Sequence, residues 1–201
     1  DYFVIHHQNI GTIPYGQREE EVPDSYRGAF NDYTYEVGQN ALFYPAELGV
    51  KLPAGSSIHF NSTHQHSIGK EVKVHVQIAF KLHPEGYTPK FPQGLTRVRA
   101  GGGIGSELDI PGNQDNVRID KIYALDKPGR MVNFEPHLHA SGKRMCVEAI
   151  YPNLTSEMLN CSGYNHAWVK SYSYDDDVAP LLPKGTILHV IGWYDNTAKN
   201  P

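Results

Sequence analysis

The chain has 201 residues, of which 39% are hydrophobic and 20% charged, and its formal net charge is −4 at pH 7. This length suits one large or two small domains and is sufficient to bury a hydrophobic core. The negative net charge and scattered lysines argue against nucleic-acid binding, which needs a basic patch. No apolar run approaches the roughly 18 residues of a transmembrane helix, so no membrane span is predicted within this chain.

The hydrophobic periodicity predicts an all-β protein. Alternating or β-branched runs predict strands at 2–6, 57–60, 71–82, 116–125, 143–151 and 186–194. Most of the 19 glycines and 14 prolines lie between these runs, as in a β-sandwich or barrel with many turns. No long amphipathic helix is predicted, and residues 11–40 are predicted to form a long polar loop.

A segment rich in proline and glycine, residues 84–105, is the predicted domain boundary. We expect an N-terminal domain over residues 1–93 and a C-terminal domain over residues 94–201. Because the sequence begins in what reads as a strand and ends equally abruptly, we expect a fragment. In that case the first domain is truncated at its start and the second at its end.

Two short patterns occur once in each half. The pattern His-x-His-x-x-Gly-Lys occurs at 64–70 (HQHSIGK) and at 137–143 (HLHASGK). A Leu-Pro-x-Gly turn before a strand with one histidine occurs at 52–60 and at 182–190. The two patterns have different offsets, so they do not indicate a simple tandem repeat, and turns of this kind are also common before unrelated strands.

The 11 histidines include three groups that are close in sequence. Residues two apart on a strand face the same side, so His137 and His139 can converge on one metal ion. His6 and His7 are adjacent, so both can bind one ion only at a bulge or a strand end. Otherwise one of the two lies in the core and the other on the surface. The third group consists of His59, His64 and His66.

Taken in order, four segments resemble the copper type II, ascorbate-dependent monooxygenases, the family of the peptidylglycine α-hydroxylating and dopamine β-monooxygenases. The segments are VIHHQNI, LPAGSSIHFNSTHQHSIGK, EPHLHASGKRMCVEAIYP and LPKGTILHVIGWYDNTAKNP, and together they extend over nearly the whole chain. The last two are most similar to bacterial members. The resemblance implies two antiparallel β-sandwich domains of jelly-roll type in tandem, each with one copper ion.

The resemblance also implies the ligands of the first copper ion. The family binds it with an adjacent histidine pair, which His6 and His7 match, and with a third histidine from a later strand. His64 is the best match for that third ligand, and His66 and His59 are its rivals.

The second copper ion of the family is bound by a His-x-His pair, which His137 and His139 match, and by a methionine thioether. Imidazole suits both oxidation states of copper, and the soft thioether favours Cu(I). The family methionine follows the Asn-Pro segment, so its match would lie beyond Pro201. The methionines of this sequence, Met131, Met145 and Met158, do not occupy that place in the pattern.

The activity that the resemblance implies is hydroxylation of a substrate C–H bond with dioxygen and with electrons from ascorbate or an equivalent reductant. His137 and His139 would then be the catalytic ligands. The peptide-binding residues of the animal enzymes have no clear match, so no small-molecule or peptide substrate follows.

Two other functions stay open. The chain could instead be a non-catalytic copper-binding module or an extracytoplasmic subunit of a larger, membrane-associated assembly. The histidines could also bind zinc in place of copper, because imidazole is a ligand of both metals. An Asp-Glu-Met-like segment beyond Pro201 would favour the enzyme.

The two cysteines, Cys146 and Cys161, flank a predicted hairpin with its turn at 152–157. Pairing Tyr151 with Ser156 across the hairpin places the two cysteines opposite each other. We therefore predict a disulfide rather than two free thiols, and a periplasmic or secreted location.

Overall fold

The computed structural model describes residues 4–13, 15–18, 33–39, 41–91, 98 and 108–200. These residues form β-strands and no helix, which confirms the all-β prediction. Within the same residues, no helix has the length and apolar character needed to cross a membrane. The chain divides into two compact units, Asp1–Leu95 and Thr96–Pro201. The tandem jelly-roll topology stays a prediction.

The first unit contains a three-stranded antiparallel sheet with the order β2-β1-β3. Its strands are β1 (Ile5–Ile13), β2 (Tyr33–Glu36) and β3 (Ser57–Gln65). The middle strand, β1, is mostly buried because it has a neighbour on each side. The buried apolar residues of this unit are Val4, Ile5, Ile10, Val37 and Leu48.

The second unit contains a four-stranded antiparallel sheet with the order β4-β11-β7-β8 and two short strand pairs, β5 with β10 and β6 with β9. Its strands are β4 (Val117–Ala124), β5 (Gly129–Arg130), β6 (Asn133–Phe134), β7 (Gly142–Ile150), β8 (Ser156–Gly163), β9 (Tyr172–Ser173), β10 (Leu181–Leu182) and β11 (Ile187–Tyr194). One face of the large sheet covers a core of Phe134, Val147, Ala149, Leu182 and Leu188.

The predicted strand at 71–82 is wrong, because these residues pair with no strand in the described parts of the chain. Its alternating apolar residues stay exposed: Val74 by 45%, Phe80 by 51% and Leu82 by 76%. Alternation indicates a strand only where a neighbouring strand completes the hydrogen-bond ladder. The predicted loop at 11–40 is wrong in part, because β2 lies within it and pairs with β1.

Three predictions concern, in part, residues that the structure does not describe. Residues 2 and 3 of the predicted first strand, residues 19–32 of the predicted loop and much of the predicted boundary at 84–105 lie outside the described residues. The predicted strands at 116–125, 143–151 and 186–194 agree within one residue with β4, β7 and β11, and the one at 57–60 covers only the first part of β3.

Cys146 and Cys161 form a disulfide between β7 and β8, where they are directly opposite each other. This confirms the predicted disulfide, which fits an oxidising compartment. The predicted register is wrong nearer the turn. There Ile150, and not Tyr151, pairs with Ser156, because β8 has an extra, bulged residue that shifts the ladder by one position.

An ion-pair network centred on His189 lies on the opposite face of the four-stranded sheet. The Nε2 atom of His189 lies 2.6 Å from Oδ1 of Asp120, and its Nδ1 atom lies 3.1 Å from Oε2 of Glu148. Arg118 holds the same Asp120 carboxylate, with Nη2 2.7 Å from Oδ1. Both ring nitrogens of His189 thus face carboxylates, so this histidine is a structural residue and not a candidate metal ligand.

The network should show in the acid titration of its carboxyl groups. Arg118 and, to a lesser extent, His189 lower the pKa of Asp120 by hydrogen bonding, whereas for Glu148 the hydrogen bond from His189 is the largest cause of a lowered pKa. His189→Val should therefore raise the pKa of Glu148 more than that of Asp120, and Arg118→Met should do the reverse. Carbon-13 NMR titration of the two carboxyl groups measures both.

The lowered pKa values of Asp120 and Glu148 determine how the stability of the protein depends on pH. A carboxyl group whose pKa is lower in the folded than in the unfolded chain contributes stability above its unfolded pKa, and loses it as the pH falls through its folded pKa. The free energy of unfolding of either variant should therefore depend less on pH in the acid range than that of the unsubstituted protein. Equal pKa changes at both carboxyl groups in both variants would contradict the network.

Candidate metal centres

The first histidine cluster forms where the ladder between β1 and β3 is irregular. The pairs Ile5–Gln65 and His7–His64 lie two residues apart on β1 but only one residue apart on β3. A bulge of this kind breaks the alternation of side chains between the two faces of a strand. The adjacent residues His6 and His7 can therefore turn their rings toward one point, which a regular strand would prevent.

Four imidazole rings come together at this bulge. The ring centroid of His6 lies 5.5 Å from that of His7 and 5.3 Å from that of His64. It lies 4.6 Å from that of His66, with 29° between the two ring planes. The centroids of His7 and His64 are 4.9 Å apart, and those of His64 and His66 are 6.0 Å apart. The Nδ1 atom of His64 lies 3.1 Å from Nε2 of His7.

These separations fit imidazoles arranged around one ion. With a metal–nitrogen distance of about 2.0–2.1 Å and about 1.1 Å from nitrogen to ring centre, two bound rings have centroids about 4.5 Å apart at right angles and about 6.4 Å apart in trans positions. The five centroid separations given above, from 4.6 to 6.0 Å, lie in this range. The structure thus brings the three predicted ligands together and adds His66, while their binding of a metal stays a prediction.

The remaining rival, His59, lies elsewhere on β3. It pairs with Gly11, whereas His64 pairs with His7, so the two histidines are separated by about 13 Å along the sheet at about 3.3 Å per residue of β1. His83 has a structural role, because its Nε2 atom lies 2.8 Å from the carbonyl oxygen of Leu48. Of the two rivals for the third ligand, His59 thus lies outside the cluster and His66 lies within it.

A buried carboxylate also lies beside the cluster, and the sequence analysis missed it. Glu36 is directly opposite His7 in the ladder between β1 and β2, and its side chain is fully buried. Cross-strand partners place their side chains on the same face of a sheet. A carboxylate in this position is typical of the outer-shell groups that orient metal-binding imidazoles. The alternating residues YTYEV around Glu36 were the sequence signal for the strand that carries it.

The second histidine pair precedes β7 and does not lie on a strand, so the predicted strand at this pair is wrong. The segment is nevertheless extended, because Leu138 is buried at 4% exposure between the half-buried His137 and the exposed His139. The Nε2 atoms of the two histidines lie 3.2 Å apart and their ring centroids 5.2 Å apart. This separation lies in the same range for a shared ion.

A tight turn holds this pair in place. The N–H group of Gly142 donates a hydrogen bond to the carbonyl oxygen of His139 at 2.6 Å. A Cβ atom at Gly142 would lie only 2.6 Å from Cβ of Leu138 and 2.9 Å from the carbonyl oxygen of His139. Position 142 therefore requires glycine, because only hydrogen leaves room for the buried Leu138 that fixes the segment. Gly69, at the same position of the other His-x-His-x-x-Gly-Lys pattern, instead has a positive φ of 71° and no such neighbour.

The segment after β11 braces the turn from outside. The N–H group of Asp195 donates to the carbonyl oxygen of Ser141 at 2.8 Å, and the side-chain amide of Asn200 donates to that of Ala140 at 3.0 Å. The carboxylate of Asp195 in turn accepts a hydrogen bond from the N–H group of Thr197 at 2.9 Å. The polar motif DNTAKN thus satisfies the carbonyl groups of the turn that follows the histidine pair.

The three methionines of the sequence lie in other surroundings. Met131 and Met145 pack against the core of the second unit. Met158, on β8, is 49% exposed.

Comparison with known proteins neither supports nor contradicts the sequence resemblance. No known protein family, curated protein or solved structure matches this chain. The copper monooxygenase family therefore remains a proposal that rests on the four sequence segments. The geometry of the two histidine groups does not depend on it.

Replacement of Gly142 should damage the second pair selectively. Gly142→Ala should lower the free energy of unfolding by about 1–3 kcal/mol, as overpacking does, because the new methyl group collides with Leu138. Copper binding at His137 and His139 should weaken in the same variant. Urea denaturation and copper titration measure the two effects.

The matched control is Gly112→Ala. A Cβ atom at Gly112 meets nothing within 4 Å, so this variant should stay within about 0.5 kcal/mol of the unsubstituted protein, as surface substitutions do. Equal stability and equal copper binding of the two variants would contradict the account of the turn.

Proposed function

We propose that this chain is a copper protein of the ascorbate-dependent monooxygenase type with two mononuclear sites. His6, His7 and His64 would hold one ion in the first unit, and His137 and His139 would hold the other in the second. The observation that supports the proposal is the proximity of the rings of His6, His7 and His64, whose centroids lie 4.9 to 5.5 Å apart at an irregular point of the ladder.

The donor groups fit copper in both of its oxidation states, because all of them are imidazoles. His6 is 2% exposed within the sheet, so the first site holds this ligand rigidly. His139 is exposed, so the second site leaves room for a further ligand beside the two nitrogens. When bound, copper would supply one-electron redox chemistry and the activation of dioxygen.

The overall reaction is the hydroxylation of a substrate C–H bond. One atom of dioxygen enters the substrate as a hydroxyl group and the other leaves as water. Two electrons from ascorbate or an equivalent reductant and two protons complete the balance. The residues of the chain bind and orient the ions, and the substrate is not identified by any of them.

The disulfide supports a periplasmic or secreted location for this activity, because such bonds persist in oxidising compartments. The same two histidine groups also support a second candidate function. In that function the chain binds copper without catalysis, as a module or subunit of a larger extracytoplasmic assembly.

Copper loading of the full-length natural protein tests the proposal. We expect two Cu(II) ions per chain, whose electron paramagnetic resonance signals both disappear on addition of ascorbate. His64→Ala and His137→Ala should each lose one signal and retain the other, because the two sites share no ligand. His137→Ala should also abolish ascorbate-dependent oxygen consumption.

The control is His59→Ala, which changes a histidine away from both groups and should retain two ions. Two bound copper ions without oxygen consumption would leave the non-catalytic module as the function. Failure to bind copper, or binding of zinc alone, would contradict the proposal.

A further inference from the structure

Glu135 lies two residues before His137 in the segment that precedes β7. The N–H group of His137 donates to the carbonyl oxygen of Glu135, which closes a γ-turn, so alternation along the chain does not fix the side that Glu135 faces. Its carboxylate nevertheless lies beside the imidazole ring of His137.

The distances agree with this arrangement. A carboxylate oxygen of Glu135 lies within 4.8 Å of a ring nitrogen of His137. The Nε2 atoms of His137 and His139 are 3.2 Å apart. Two ligands of one ion, at bond lengths of about 2.0–2.2 Å, are separated by at most about 4.2 Å. The separation between Glu135 and His137 therefore exceeds this limit by at most about 0.6 Å.

We propose that Glu135 is the third protein ligand of the second metal site, which is then complete within this chain. This inference rests on the proposed binding of a metal by His137 and His139. The site would have two imidazoles, one carboxylate and open positions, a ligand set that proteins use for divalent metals that react with oxygen. An oxygen donor is harder than a thioether, so the site would favour the divalent state, and Cu(II) is the divalent ion that such donors bind most tightly.

The backbone around Glu135 is suited to this role. The N–H group of His137 donates to the carbonyl oxygen of Glu135 at 3.0 Å, which fixes the two residues relative to each other. The buried side chains of Phe134 and Leu138 anchor the segment on either side of Glu135 and His137. A ligand set on a segment held in this way loses little conformational freedom when it binds an ion.

Substitution of Glu135 in the full-length protein tests the inference. Glu135→Gln keeps the shape and removes the charge, and it should weaken Cu(II) binding at the site that His137→Ala removes by at least about tenfold, the lower limit for loss of an outer-shell partner. The paramagnetic resonance parameters of that ion should change as well. Glu135→Asp keeps a carboxylate and should restore part of the affinity. The control is Glu157→Gln. The Glu157 carboxylate accepts a hydrogen bond from the hydroxyl group of Tyr151, so this variant should leave the affinity and the resonance parameters unchanged.

A second measurement needs no substitution at Glu135. With carbon-13-labelled glutamate carboxyl groups, addition of Cu(II) should shift one carboxylate stretching band in the infrared difference spectrum, and the shift should disappear in His137→Ala. Unchanged affinity and resonance parameters in folded Glu135→Gln, or no shifted band, would overturn the assignment of Glu135. If His137→Ala loses no copper, the proposed second site fails and the assignment of Glu135 fails with it.

Discussion

The alternation of side chains along a strand is the constraint on which both histidine groups depend. A regular ladder would send His6 and His7 to opposite faces of the sheet. The bulge at β1 removes this restriction, and the rings of His6, His7 and His64 then lie within 5.5 Å of one another. His66 lies in the same group because the ladder continues beyond β3. Its N–H group donates a hydrogen bond to the carbonyl oxygen of Val4 at 2.8 Å.

The second group meets the same constraint in a different way. His137 and His139 are two residues apart, so an extended segment without a bulge is enough to bring their rings together. Because this pair lies outside the sheet, the hydrogen bonds of the sheet do not fix its position. The packing of Leu138 against Gly142 supplies that position from within, and the hydrogen bond from Asp195 supports the following turn from outside. The same sequence pattern therefore occurs in two different local structures.

The sequence predicted which histidines lie close together better than it predicted the backbone that holds them. The strand class, the disulfide and the residues that come together were accessible, because they depend on periodicity and on short spacings. The bulge on β8 and the absence of a strand at 71–82 were not, because each depends on which neighbour completes a ladder. Glu36 and Glu135 were overlooked for a related reason. Neither belongs to a histidine pattern, and only the register with His7 or the distance to His137 shows that each lies beside a histidine.

The central claim is that each histidine group holds its own metal ion. Anomalous X-ray diffraction at the copper absorption edge, on crystals of the copper-loaded protein, tests it most directly. The account predicts two strong peaks, one about 2.0–2.1 Å from ring nitrogens of His6, His7 and His64 and one at a similar distance from those of His137 and His139. Peaks at other residues, or no peak at either group, would contradict it.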